Sequence, residues 1–160
     1  MASTLAAVTT GVGGIVATAD NSGNISLLAG STSAVACTST GTTVAGVMVL
    51  SGSYTEGVVA IGTVTTSSTL VLTNGTVQTA TLTASTACAF TMPASTAGKS
   101  FVLLLKQAAT TGNGTATFTG VKFGTAGAPT ITATAGKMDI LTFISDGTNW
   151  YGSIAQGYTP

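Results

Sequence analysis

From Val44 onward, short apolar runs are separated by clusters of Gly, Asn, Ser and Pro. Val44 to Leu50, Val58 to Val64, Leu70 to Thr73, Val77 to Leu82, Ala87 to Met92 and Ser100 to Gln107 each have strand length and strand vocabulary. Thr115 to Thr119, Thr130 to Thr134, Met138 to Ile144 and Asn149 to Ile154 continue the series. Asn74-Gly75, between two such runs, predicts a tight hairpin, because a type I′ turn needs φ > 0 at both central residues. A second hairpin is predicted at Ser145-Asp-Gly-Thr148. Ser100 to Gln107 is the most hydrophobic stretch and predicts a central strand. No stretch has the spacing of an amphipathic helix.

Before Val44 the pattern is looser. Gly11-Val-Gly-Gly14 and Asp20-Asn-Ser-Gly-Asn24 are turn signals. Between and after them lie the short apolar pieces Ile15-Val-Ala, Ile25-Ser-Leu-Leu28 and Ala34-Val-Ala-Cys37. None has the bulk for a core of its own. The expected organisation is therefore residues 1–43 as an extended N-terminal arm, or small strands packing on neighbours, and residues 44–160 as a β-sandwich domain. The fold class this predicts is all-β, an antiparallel, jelly-roll-like sandwich with an extended N-terminal arm. The aromatics Phe90, Phe101, Phe118, Phe123, Phe143, Trp150 and Tyr151 are its expected core.

Composition narrows function more than fold. The chain has 160 residues, no His, no Arg, four Lys and four Asp or Glu. Charged side chains are 5% of the total, against about a quarter in ordinary soluble domains. General acid–base sites and nucleic-acid surfaces both draw on the missing residue types. Net charge is zero and mean hydropathy is +0.57, so little electrostatic repulsion keeps copies apart. A hydroxylated surface and burial in a symmetric homo-oligomer are the two expected answers. Cys37 and Cys88 are expected as free buried thiols rather than a disulfide. No signal peptide is visible, and no apolar run approaches the ~20 residues of a membrane helix.

Several motifs have sharper readings. Pro93-Ala-Ser-Thr-Ala-Gly-Lys-Ser100 matches a phosphate-binding loop except for Pro93, and Ile140 to Asp146 loosely mimics the acidic strand that accompanies one. Such a loop needs a helix after its Ser. Phe101 to Leu105 reads as a strand, so a polar loop between strands is expected. A glycosidase needs two close carboxylates, whereas the four acids are scattered. Asp20 and Asp146 are expected to cap turns, and Asp139 to pair with a lysine. Thr-x-Thr patterns at Thr63, Thr79, Thr115 and Thr130 place hydroxyls on one strand face. Without a fixed repeat period, a flat ice-binding solenoid array is not expected. Asn24, Asn74 and Asn113 head glycosylation-type triplets that read as turns. No catalytic, cofactor-binding or metal-binding residue is assigned, and no cofactor is expected.

Phe90-Thr-Met-Pro93, Ala97 to Gln107, Gly127-Ala-Pro-Thr130 and above all Lys137 to Gly152 resemble a β-module of tailed-bacteriophage virion proteins. The likeness covers roughly Ala87 to Gly152, and Asp20 to Leu27 is similar to short repeats near phage fibre domains. The resemblance implies a structural virion protein made in the host cytoplasm, without catalytic residues. Chain size favours a capsid decoration (cement) protein, a homotrimeric knob on the major capsid protein of the phage shell, with no nucleic-acid or membrane partner. The alternative is a tail-fibre or receptor-binding tip contacting host glycans, with Trp150, Tyr151 and Tyr158 as candidate contacts.

Overall fold

The structure is a computed structural model and describes residues 25–29, 32–38 and 41–160. The expectations placed on Gly11 to Ala17, Asp20 and Asn24 lie outside these residues. Among the described residues the protein is all-β, with no helix. The chain divides into two compact units, the first ending at Tyr54 and the second running from Thr55 to Pro160.

The first unit contains β1 (Ile25–Ala29), β2 (Thr32–Thr38) and β3 (Gly41–Val44). They form an antiparallel sheet in the order β1-β2-β3. Ile25 lies opposite Cys37, and Cys37 opposite Thr42. After β3 the predicted strand from Val44 to Leu50 does not form; Ala45 to Tyr54 pairs with no strand.

The second unit departs from the expected antiparallel sandwich in how its strands pair. Its strands are β4 (Val58–Val64), β5 (Ser67–Thr69), β6 (Val77–Leu82), β7 (Ala87–Thr91), β8 (Ser100–Lys106) and β9 (Thr115–Thr119), then β10 (Val121–Lys122), β11 (Met138–Ser145) and β12 (Trp150–Tyr158). The chain alternates between two sheets. β4, β6 and β8 pair in parallel in one, and β5, β7 and β9 pair in parallel in the other. Three successive turns of the chain thus stack as a solenoid-like coil. β11 then pairs antiparallel with β8 and β12, completing a six-stranded sheet in the order β10-β12-β11-β8-β6-β4.

The sequence misdirected here for a physical reason. The turn at Asn74-Gly75 does form, but neither residue takes a positive φ. It is therefore not the primed turn that folds a hairpin back on itself. Leu70 to Thr73 is no strand; it carries the chain from β5 to β6, one layer up. Thr130 to Thr134 is likewise a loop. The coils start at Val58, Val77 and Ser100, so they differ in length. Loops absorb the surplus, and the strands still stack without a sequence period. A solenoid-like coil thus forms without the fixed repeat period that the sequence lacks.

The two sheets enclose one core. Phe101, Leu103, Leu105, Leu141 and Phe143 point inward from one sheet, and Cys88 and Phe90 from the other. Phe118 bridges them, with its ring 5.4 Å from Phe90 and 5.5 Å from Phe143. Trp150 stands edge-on to Phe101 at 5.3 Å, and its indole N–H donates to the Pro93 carbonyl at 2.9 Å. Buried indoles need such a partner. Tyr151, expected in this core, is instead exposed. Cys88 is a free buried thiol and donates to the Val64 carbonyl at 3.2 Å.

Buried polar side chains tie the loops to the coil. Gln107 Nε2 donates to the carbonyls of Gly114 and Thr132 at 2.7 and 2.8 Å, and its Oε1 accepts from the Gly114 amide at 3.0 Å. Asp139 is buried, but its partners are not lysines. Its Oδ2 accepts from the Thr132 amide at 2.7 Å and its Oδ1 from the Gly157 amide at 2.9 Å. A carboxylate facing two N–H donors is satisfied without a cation.

Candidate functional site

Among the described residues of the second unit, the face of the six-stranded sheet turned away from the core carries several exposed or half-buried apolar side chains. Alternation sends every second residue of each strand outward. The registers align these residues in rows across the sheet. Val58, Val77, Val102, Thr142 and Ser153 make one row, and Ala60, Thr79, Leu104, Ile140 and Ala155 the next. Thr63, Thr81, Lys106, Met138 and Tyr158 form a third. Val58, Ile144, Tyr151 and Tyr158 are exposed, and Val77, Val102, Leu104, Met138 and Ile140 half-buried.

Two concavities mark this face. One, of about 470 Å³, has Ser100, Val102, Thr142, Ile144, Tyr151 and Ser153 on its outward side, with Glu56 and Thr76 at its rim. The other, of about 200 Å³, lies between Ala60, Thr79, Thr81, Leu104, Lys106 and Met138. Inside the larger one the hydroxyls of Thr142 and Ser153 bond to each other at 2.6 Å. The Thr76 hydroxyl donates to the Glu56 carboxylate.

Asp146 orders the turn beside the larger concavity. Its Oδ1 accepts from the amides of Thr148 and Asn149 at 2.8 and 2.7 Å, and its Oδ2 from the Tyr151 hydroxyl at 2.9 Å. The Asn149 amide, then the Thr148 amide and the Tyr151 hydroxyl, lower its pKa from 3.8 to about 2. The same carboxylate raises the pKa of Tyr151, through their hydrogen bond first and its charge second. This is the turn-capping role expected for Asp146.

Asp139 is sealed in the interior and Asp146 is occupied by its turn. Among the described residues no group of three or more His, Cys, Asp or Glu could hold a metal ion. Pro93 to Lys99 is a loop, and β8 begins at Ser100 where a phosphate-binding loop would start a helix. No helix of the described residues is long and apolar enough to cross a membrane.

The sequence analysis named Trp150, Tyr151 and Tyr158 as possible contacts. The structure buries Trp150 and exposes Tyr151 and Tyr158 on this face. Val102, Leu104, Ile140 and Ile144 also lie on this face and were not among the expected contacts. For Val102 and Leu104 the signal was present: Phe101 to Leu105 is apolar at consecutive positions, which marks a strand with two apolar faces.

Compared with known proteins, the chain matches no family model, no curated protein and no solved structure.

Proposed function

We propose that this chain is a structural virion protein, a capsid decoration protein that acts by assembling with itself and with a shell. The observation that carries the reading is the apolar outer face of the six-stranded sheet on a chain with almost no charge. Exposed contiguous apolar surface on a soluble protein marks an interaction site. A chain that spends few residues on ionisable groups is suited to burying surface rather than to moving protons. The resemblance of Ala87 to Gly152 to phage virion modules supplies the setting. In that setting a homo-oligomer, a trimer by the same resemblance, sits on the major capsid protein and strengthens the shell by buried apolar area.

The test is the number of copies per particle, by quantitative mass spectrometry against the shell protein. A ratio near that of the shell protein is expected. A ratio of a few per cent would move the chain to the tail.

One observation favours that second reading, a fibre tip contacting host glycans. The larger concavity combines an exposed Tyr151 ring with the hydroxyls of Ser100, Thr142 and Ser153. Aromatic surface edged by hydroxyls suits a sugar ring. Glycan-array binding that survives removal of residues 1–41 would select it over the decoration role.

A further inference from the structure

We infer that Val47-Met-Val-Leu50 of one copy docks on the apolar outer face of the six-stranded sheet of a second copy. This rests on the self-association reading above and names the surfaces that carry it. Four large apolar side chains in a row, without a charge, follow β3. They are between 54% and 89% exposed. Runs of three or four exposed apolar residues are errors in a protein that works alone. The second unit presents the matching surface, with Val58 and Ile144 open and Val102, Leu104 and Ile140 half-open. Both surfaces lack charge, except for Lys106 and Glu56 at opposite ends of the face. Extended, the run spans about 13 Å, enough to cross two or three strands spaced about 4.8 Å apart.

The two edges of the six-stranded sheet are poor competitors for this run. β4 carries a register shift between Ala60 and Gly62, with Gly62 at φ +81°. On the other side β10 pairs with β12 only at Trp150 and Tyr151, and the rest of β12, outermost there among the described residues, carries a register shift opposite Met138 and Ile140, with Gly157 at φ +79°. Bulges at outer strands twist an edge away from further pairing. The run is therefore directed to the face, where side chains and not ladder hydrogen bonds make the contact.

Light scattering on the full chain tests this with two double variants at exposed positions. Val47→Ser/Val49→Ser alters the run, Val58→Ser/Ile144→Ser alters the face, and Val71→Ser, exposed elsewhere, serves as control. The wild type and the control are expected as oligomers, and each double variant as a 15.5 kDa monomer with unchanged circular dichroism. Mixing the two double variants is expected to restore a two-chain species, because one supplies an intact face and the other an intact run. A run variant that stays oligomeric overturns the inference and leaves self-association standing. Double variants that are both monomeric but are not rescued by mixing overturn the run-on-face pairing. A monomeric wild type overturns self-association and this inference together.

Discussion

The second unit has two outer faces built on the same alternation, and they differ in what they show to water. On the three-stranded sheet, Ser67, Ala89 and Thr117 form one outward row, and Thr69, Thr91 and Thr119 the next. On the six-stranded sheet the corresponding rows set Val, Leu, Ile and Met among Thr, Ser, Ala and Lys106. Neither face relies on charge. Hydroxyls bond to water and leave the first face comfortable in solvent, while the second loses free energy for every square ångström left wet, at about 25 cal/mol. A protein nearly free of charge thus has one hydroxylated face and one more apolar face.

The deepest way to disturb the comparison is to remove what both faces stand on. Phe143 stacks on Phe101 at 4.8 Å and also meets Phe118. Phe143→Ala is expected to cost about 3–5 kcal/mol in urea unfolding, with both sheets melting in one transition. Next come the loop ties. Gln107→Leu strips three hydrogen bonds from Gly114 and Thr132 and is expected to cost about 2–3 kcal/mol. Gln78 provides the contrast: Nε2 reaches the Val71 carbonyl at 2.6 Å, but its buried Oε1 has no partner. Gln78→Leu is therefore expected to change stability by less than about 1 kcal/mol, and chemical denaturation of the two variants side by side checks the difference.

Making the two faces alike sharpens the contrast itself. Thr115→Val/Thr117→Val/Thr119→Val turns exposed hydroxyls into methyls. Stability should move by about 0.5 kcal/mol or less per site, while sedimentation velocity should reveal new concentration-dependent association. An unchanged sedimentation profile would mean that side-chain polarity is not what separates the faces. The smallest effect belongs to Asp146. Its folded pKa lies below its unfolded value, so its contribution is present above pH 3.8 and lost as the pH falls towards about 2. Wild type should exceed Asp146→Asn in melting temperature at neutral pH, and the gap should close across that acid window.

How much of this was legible depends on the range of the interaction. The β11–β12 hairpin was readable because its turn, Ser145 to Thr148, is local and Asp146 caps it. β4, β6 and β9 were readable as strands at their observed bounds, and β8 as a central one. Pairing was not readable. Whether Val77 to Leu82 lies antiparallel to its predecessor or parallel to β4 depends on the path of the loop between them, and periodicity carries no direction. The buried roles of Gln78, Gln107 and Asp139 were hidden for a similar reason: their partners are backbone groups, which leave no mark in the sequence. The apolar face was half-legible, in the unbroken run of Phe101 to Leu105, but its other strands became neighbours only through the coil.

The central claim is that the apolar face is covered in the working protein and the hydroxylated one is not. Hydroxyl-radical footprinting across a concentration series, read by mass spectrometry, tests it most directly. Labelling of Met138, Ile144 and Tyr151 should fall as concentration rises, while peptides spanning Thr115 to Thr119 stay constant. Labelling of all these residues that is unchanged from dilute to concentrated protein would contradict the account.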